Sequence, residues 1–271
     1  MLGAHEFFFH YTKADTAFGA IVADQTLRLS PYNLMDDPFE SQEWMIGGSG
    51  YVGEDDNLDQ KWGERFALIN KAKAETKVLS LSVDAAGYEG RLDPFGRGYA
   101  RASMWQLYAD SHSGVCLAFD RDSLTEQLMP QLEALGRTFH GPVQYHKGGI
   151  TEVDLGAEFF VLDSAGGDAL EDVERHIEDH HDALLFTKLA DWQGEWEYRF
   201  VAVGEGDDYV YCSIGNSLRA VILGHKFPPW QGESARKLCE ERGLALYRVH
   251  WEHWRPFLLK GPPKVGTPVA T

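Results

Sequence analysis

Cysteine is scarce in this chain, and the three cysteines present, Cys116, Cys212 and Cys239, lie far apart in the sequence. No CxxC pair occurs, so the sequence indicates neither a zinc site nor a disulfide framework. Reduced thiols are typical of proteins in reducing compartments. The cysteine pattern therefore predicts a cytoplasmic location.

Long apolar runs are also missing. No stretch approaches the ~20 apolar residues that a membrane-spanning helix needs. The first residues, MLGAHEFFF, lack the basic region and the long apolar core of a signal peptide. We expect no membrane association and, again, a cytoplasmic protein.

An excess of basic residues is absent as well. Lys and Arg number 25 against 42 Asp and Glu, which gives a formal net charge of -17. This balance opposes non-specific binding to nucleic acid, although a local basic pocket could still hold a nucleotide. The sequence has no GxGxxG, Walker A or GxSxG motif, so classical dinucleotide folds, P-loop enzymes and α/β-hydrolases have no support.

The amino-acid composition is typical of a globular protein. Hydrophobic residues make up 44% of the 271 and aromatic residues 13%, enough for a substantial core. Predicted strands are short and unevenly spaced, without regular βαβ alternation. The sequence predicts one α+β domain over residues 1–260, with mixed or antiparallel sheets and flanking helices. The proline-containing residues 261–271 are predicted to be a flexible tail.

Hydrophobic periodicity places the main elements. Strands are predicted at 7–11, 27–29, 78–83, 115–119, 143–145, 220–223 and 244–249, and helices at 14–24, 59–74, 102–109, 123–135, 168–189 and 234–242. Residues 198–203 and 208–212 are predicted to form a hairpin, and Ser123 is the expected N-cap of its helix. Residues 47–59 and 85–99 are predicted to be surface loops.

Polar residues at strand ends are the first candidates for chemistry. His10 closes the first strand, within Phe9-His10-Tyr11-Thr12, where its ring could hydrogen-bond a ligand hydroxyl or be satisfied by nearby backbone. Ser80 and Ser82 lie on one face of their strand because side chains alternate. These hydroxyls could bind a sugar, or simply bond across the sheet.

Two aromatic segments carry the remaining candidates. Trp105 and Tyr108 share a helical face, with His112 just after the helix, and this group suits either core packing or a ligand site. Glu195 and Glu197 alternate onto one side of a strand whose aromatic residues face the other. Two close carboxylates repel, which would raise the pKa of one and suit acid–base work. A solvated strand edge remains the alternative.

His176 and His180 are spaced i, i+4, which can bind zinc. No third ligand is evident, and the surrounding charge density favours a solvated helix face, so no metal is expected. A metal-dependent hydrolase centred on this pair stays open as an alternative.

Taken in order, these pieces resemble domain-of-unknown-function family 2971 (DUF2971). The family pattern runs from a (Y/F)-H-Y-T strand through an N-D-P-F-E loop, a strand ending in Ser and an M-W-x-x-Y-A-x-x-H-x-G segment to an E-x-E-x-R strand. The matching positions are Phe9 to Thr12, Asp36 to Glu40, Ser82, Met104 to Gly114, Lys188, Trp192, Glu195 to Arg199 and Val221 to Gly224. Asp36 departs from the pattern, because it stands where the family has Asn.

The layout of these motifs is similar to that of ADP-ribosyltransferases, which implies NAD as a substrate. The resemblance implies that His10 holds the adenosine ribose, Ser82 supports the nicotinamide-ribose pocket, and Glu197 holds the ribose 2′-hydroxyl while nicotinamide leaves. It assigns Glu195 to the acceptor.

Among the aromatic residues, Tyr11 or Tyr108 would stack on the nicotinamide, and Thr12 and His112 complete the expected cofactor-binding set. A bacterial toxin or phage-defence role follows by analogy with neighbouring families. A non-enzymatic ligand- or protein-binding module on the same fold is the main alternative.

Overall fold

The computed structural model describes residues 2–50, 58–88, 94–147, 157, 159–162, 168–204, 206, 208–253 and 255–262. Its strands are β1 (Phe7–Thr12), β2 (Thr26–Pro31), β3 (Gly47–Gly50), β4 (Thr76–Ser82), β5 (Val115–Asp120), β6 (Gly136–Pro142), β7 (Gln144–His146), β8 (Phe159–Leu162), β9 (Thr187–Leu189), β10 (Glu197–Gly204), β11 (Val210–Ser213), β12 (Leu218–Leu223), β13 (Ala245–Glu252) and β14 (Arg255–Lys260). Its helices are α1 (Ala14–Thr16), α2 (Val22–Asp24), α3 (Pro38–Ser41), α4 (Leu58–Glu75), α5 (Ala102–Leu107), α6 (Arg121–Glu133), α7 (Ala169–Leu185) and α8 (Gly232–Glu241).

Ten of these strands form one sheet, in the order β11-β2-β4-β1-β5-β12-β13-β14, with β10 pairing β4 and β6 pairing β10. The pairings are antiparallel except that of β12 with β13. Helices flank this mostly antiparallel sheet, so the predicted α+β class is confirmed. None of the helices described is long and apolar enough to cross a membrane.

The two faces of the sheet carry separate cores, as the alternation along β1 predicts. Phe8 packs on one side, where Leu124, Leu128 and Leu132 of α6 cover the sheet at helical spacing. Phe9 packs on the other side, in a core that contains the fully buried Trp105 of α5.

Several elements differ from their predictions. Residues 198–203 and 208–212 do not form a hairpin, because β10 pairs with β4 and β6 whereas β11 pairs with β2. The N-cap of α6 is Asp120, not Ser123, because the Asp120 carboxylate accepts the backbone N–H of Ser123 at 3.0 Å.

Other helices and strands also differ in their boundaries from the predicted elements. Helix α7 ends at Leu185, so the predicted helix over 168–189 is too long and its end is strand β9. Strands β6 and β14 had no prediction. The helix over 14–24 is interrupted by a π-helical turn at Ala17–Ile21.

The predicted loops and tail lie partly outside the described residues, which exclude 51–57, 89–93 and 263–271. Within the described part, residues 47–50 form β3 rather than loop. Gly98, Tyr99 and Ala100 form a buried 3-10 turn, so this end of the predicted surface loop belongs to the core.

One edge of β4 changes partner along its length, and this change creates an opening in the sheet. Ser30 of β2 pairs with Val78, and Phe9 of β1 pairs with Ser82. Between these pairs, no described strand binds residues 79–81 on that side, while the other edge of β4 pairs with β10 throughout. Strands β1 and β2 therefore splay apart over the middle of β4.

Candidate functional site

A cleft of about 750 Å³ occupies the opening between β1 and β2. This size is in the range of small-molecule and cofactor sites. Residues of the first, second and fourth strands line it, together with polar residues that precede or begin β10. The cleft therefore combines backbone from several distant parts of the chain.

Strand register decides which side chains share a face of this cleft. Ser82 pairs with Phe9 on one side and with Glu197 on the other, so the three side chains lie on one face. Ser80 pairs with Arg199 and lies on the same face. The prediction that the two serines share a face is confirmed.

Glu197 is buried and fixed by Arg199. The Arg199 guanidinium donates from Nε to Oε1 at 2.7 Å and from Nη2 to Oε2 at 3.0 Å. Its remaining nitrogen, Nη1, donates to the carbonyl of Leu185 at 2.7 Å, and Nη2 also contacts Glu40. Such a forked pair fixes both side chains in one geometry.

Lys188 joins the carboxylates. Its Nζ lies 2.8 Å from Oε2 of Glu195, 3.3 Å from Oε2 of Glu197 and 3.7 Å from Oε2 of Glu40. The Lys188 ammonium also lies 4.9 Å from the centre of the Trp192 ring. We call these five charged residues, Glu40, Lys188, Glu195, Glu197 and Arg199, the charge cluster; all are buried.

Two tyrosines complete the surroundings of the carboxylates. Tyr108 donates its hydroxyl to Oε1 of Glu195 at 2.7 Å. The hydroxyl of Tyr145 accepts the backbone N–H of Glu197 at 2.9 Å. Tyr108 lines the cleft, as predicted, while Trp105 of the same helix is fully buried behind it.

The two glutamates differ in how much hydrogen-bonding capacity they retain. A carboxylate offers about four lone-pair positions. Glu197 accepts three N–H bonds, from Arg199 twice and Lys188 once, and the Ser80 hydroxyl lies beside it. Glu195 accepts two bonds, from Tyr108 and Lys188. Glu195 therefore has more capacity for a ligand hydroxyl.

The protonation states in the charge cluster follow from burial and pairing. Burial opposes ionisation of Glu197, but the charges of Arg199 and Lys188 outweigh it and hold its pKa at about 2. The pKa of Glu197 is therefore lowered, not raised. Burial opposes the charge on Lys188, yet Glu197, Glu40 and Glu195 together raise its pKa. Burial raises the pKa of the Glu40 carboxyl.

Glu195 and Glu197 converge by a different route from simple alternation. Glu195 ends a 3-10 turn, Ala190–Glu195, and Trp196 adopts a left-handed conformation with φ 45° before β10 begins. This bend turns both carboxylates toward Lys188. Tyr198 packs into the core as predicted, but Trp196 is half-buried and stacks against Arg101, with the guanidinium carbon 3.7 Å from its ring centre.

His10 borders the cleft from the other face of the sheet. Its neighbours Phe9 and Tyr11 share a face with Ser82, so the side chain of His10 alternates to the face of Phe8. The ring lies beside the backbone of Ser80, in the stretch of β4 without a strand partner on that side. His10 and Glu197 both line the cleft, but alternation places their side chains on opposite faces of the sheet. Burial lowers its pKa to about 4, so the ring is neutral near pH 7.

The other predicted ligand residues separate into two groups. Tyr11 and Thr12 line the cleft, but the Tyr11 hydroxyl already donates to the carbonyl of Gly98 at 2.6 Å. His112 does not line the cleft. Its backbone N–H bonds Trp105 and its carbonyl accepts the N–H of Lys226, while its φ of 74° places it in a strained turn. The backbone of His112 therefore belongs to the turn after α5.

The described residues contain no group of three or more His, Cys, Asp or Glu arranged to hold a metal ion. The glutamates of the charge cluster form ion pairs with Lys188 and Arg199. His176 is buried with Nε2 3.0 Å from the carbonyl of Ala157, and its ring lies 4.8 Å from that of His180. The hydrolase alternative gains no third ligand from these residues.

Glu40, Lys188, Arg199 and Tyr145 were not selected from the sequence as site residues. Glu40, Lys188 and Arg199 all lie in the segments that resemble DUF2971, which was the available signal. The helix predicted over 168–189 did not place Lys188 next to the glutamates, whereas the structure has Lys188 in β9. Tyr145 sits in a three-residue strand whose pairing with β9 only the fold reveals.

Comparison with known proteins supports part of the resemblance. Residues 104–200 match the model of a family described as "Protein of unknown function (DUF2971)". This segment contains Tyr108, Lys188, Glu195, Glu197 and Arg199, and thus most of the charge cluster. No curated protein and no solved structure matches the chain.

Proposed function

We propose that the cleft binds NAD and that the protein releases nicotinamide from it, transferring ADP-ribose to an acceptor on an ADP-ribosyltransferase-like scaffold. The observation that carries the proposal is the opening beside β4. There Ser80 and Ser82 lie near Glu195, whose carboxylate can accept further hydrogen bonds. In this proposal Glu195, rather than Glu197, holds the ribose hydroxyl.

The unequal bonding of the two glutamates supports this assignment of roles. Glu197 accepts two bonds from a fully buried guanidinium and one from Lys188, so a ribose hydroxyl would have to displace a charged donor. Glu195 lines the cleft and is bonded once at each oxygen. Arg199 and Glu197 then hold Lys188 in place, and Lys188 orients the Glu195 carboxylate.

The proposed reaction breaks the bond between C1′ of the ribose and the pyridinium nitrogen of NAD. The bonding electron pair moves to that nitrogen, nicotinamide leaves as a neutral molecule, and positive charge develops on the ribose. A buried, preorganised carboxylate at the 2′-hydroxyl stabilises this charge more in the transition state than in the ground state. The acceptor oxygen, or water in its absence, then bonds to C1′ and loses its proton to solvent.

A binding measurement tests the first step. Calorimetric titration of the wild-type protein with NAD is expected to give saturable binding, and nicotinamide at the same concentration should compete weakly or not at all. Glu195→Gln keeps the size of the side chain and should weaken NAD binding less than turnover. Glu126→Gln, on the exposed face of α6, is the matched control. Failure of NAD to bind at millimolar concentration would overturn the proposal.

A non-enzymatic binding module is the second candidate, and the locked pair of Arg199 with Glu197 favours it. Buried charges held this completely also occur as purely structural networks. This candidate predicts nucleotide binding without nicotinamide release, in the presence or absence of cell extract as a source of acceptor. Release of nicotinamide by the wild-type protein would exclude it.

A further inference from the structure

The outer side of the cleft carries a basic and aromatic surface that the charge cluster does not use. Tyr211 of β11 pairs directly with Arg28 of β2, so both side chains lie on one face of the sheet. Tyr209, two residues before Tyr211, alternates to the same face, and all three residues line the cleft. We call Arg28, Tyr209 and Tyr211 the aromatic rim.

The contacts within the aromatic rim leave the Arg28 guanidinium and the Tyr211 ring available to a ligand. The guanidinium carbon of Arg28 lies 4.3 Å from the centre of the Tyr209 ring, which orients the cation without neutralising it. In the part of the chain that the structure describes, no carboxylate pairs with Arg28. Tyr211 is 63% exposed. An exposed ring beside an unpaired guanidinium is unusual on a chain of net charge -17.

The aromatic rim and the charge cluster lie on opposite sides of β4. Strands β10, β4, β2 and β11 are successive neighbours, so three strand spacings, about 14 Å, separate the strand of Glu197 from that of Tyr211. Side chains of both groups project on the same face, because Ser30 pairs with Val78 and Ser82 pairs with Glu197. A ligand that contacts both must have two recognition groups far apart.

We propose that the aromatic rim binds a purine nucleotide portion of the ligand, with the base stacked on Tyr211 and a phosphate bound by Arg28. This inference rests on the proposed function, since it places the far half of the dinucleotide opposite the ribose at Glu195. Any planar base can stack on an aromatic ring, because stacking does not depend on the hydrogen-bonding groups of the base. The fork of N–H donors on a guanidinium matches the geometry of phosphate oxygens. Tyr209 then serves to position Arg28.

The test uses ADP, which carries a base and phosphates, and nicotinamide mononucleotide, which lacks the purine. Affinities for both are measured by calorimetry on the wild-type protein and on Tyr211→Ala, Tyr211→Phe and Arg28→Gln. Tyr211→Ala is expected to weaken ADP binding about tenfold, as for loss of one stacked base. Tyr211→Phe keeps the ring and should stay within about twofold of wild type. Trp230→Ala, an exposed aromatic outside the cleft, is the control.

Arg28→Gln should weaken ADP binding and reduce its dependence on salt, because one charged phosphate contact is lost. The two Tyr211 changes should not alter the affinity for nicotinamide mononucleotide, because it lacks the purine. Equal ADP affinity of the wild type and Tyr211→Ala overturns the aromatic-rim inference but leaves NAD chemistry at Glu195 intact. Tyr211-dependent ADP binding without any nicotinamide release from NAD supports the rim and overturns the proposed function instead.

Discussion

Arg199 binds the Glu197 carboxylate through two nitrogens, with Nε 2.7 Å from Oε1 and Nη2 3.0 Å from Oε2. Both side chains are buried, so neither charge is compensated by water. Removing one member of a buried pair leaves the other uncompensated, which typically costs more than the pair contributes. This relationship separates the structural role of Glu197 from the ligand role proposed for Glu195.

Replacing Arg199 should therefore be strongly destabilising. We expect Arg199→Met to lower the free energy of unfolding by roughly 3–5 kcal/mol, because Glu197 and Glu40 lose their main cation. Urea denaturation measures the change. Arg137→Met removes an ion pair at the protein surface, with Glu174 and Glu178, and should cost less than about 1 kcal/mol. Equal stability of the two variants would show that the charge cluster is not fixed as described.

Trp105 should stabilise the fold through packing and one buried hydrogen bond. It is fully buried, its ring lies edge-on to Tyr11 at 5.1 Å between centres, and its Nε1 donates to the carbonyl of Tyr99 at 2.8 Å. Trp105→Ala is expected to destabilise the protein by roughly 3–5 kcal/mol in the same denaturation assay. Trp230→Ala, at a side chain that is 75% exposed, should leave the midpoint nearly unchanged. A wild-type denaturation midpoint for Trp105→Ala would show that Trp105 does not pack in the core that contains Phe9.

His10 should make stability depend on pH in a defined window. Its folded pKa is about 4, below the ordinary value of 6.5, so the unfolded chain binds a proton first as the pH falls. The stabilising contribution is complete above pH 6.5 and is lost progressively down to about pH 4, amounting to at most roughly 3 kcal/mol.

The variant His10→Gln isolates this contribution, because Gln can still hydrogen-bond backbone but does not titrate. The stability difference between wild type and His10→Gln should shrink or reverse between pH 6.5 and pH 4. His253→Gln, at an exposed position, should keep the wild-type pH profile. Parallel profiles for wild type and His10→Gln would mean that His10 is not buried against Ser80.

The local spacing of apolar and polar residues was sufficient to predict much of the fold and part of the site. Alternation correctly placed Ser80 and Ser82 on one face of β4, and hydrophobic periodicity located the helix that carries Trp105 and Tyr108. These predictions succeed because the period of a side-chain pattern depends on the local backbone alone.

Strand partners and register depend on the whole chain, and the errors lie there. Residues 198–203 and 208–212 read as a hairpin, yet β11 pairs with β2 from far earlier in the sequence. The register of β1 against β4 sets His10 on the opposite face from Ser82, although both are polar residues near strand ends. The pairing of Glu197 with Lys188 is not visible in the sequence for the same reason, since Lys188 comes from a segment that was predicted to be helical but forms β9.

Tyr108 provides an independent check on the carboxylate proposed to act. Its hydroxyl donates to Glu195 at 2.7 Å, so Tyr108→Phe frees another acceptor position on Glu195 without changing charge. The proposal expects a modest loss of stability, about 1 kcal/mol, and a change in kcat for nicotinamide release larger than the change in KM. If kcat and KM are both unchanged while release occurs, Glu195 is not the reacting carboxylate.

The central claim is that Glu195, not Glu197, is the carboxylate that acts on NAD. The most direct measurement is the rate of nicotinamide release from NAD by the wild type, Glu195→Gln, Glu197→Gln and the control Glu126→Gln, each first checked for folding by circular dichroism. The account predicts that Glu195→Gln stays folded and loses less stability than Glu197→Gln, because Lys188 keeps Glu197 and Glu40 as charged partners. It predicts that Glu195→Gln loses turnover by at least about a hundredfold. It predicts that Glu197→Gln is measurably destabilised, because Arg199 and Lys188 lose a buried charged partner. A fully active Glu195→Gln, or a wild-type protein that releases no nicotinamide with or without added acceptor, would contradict it.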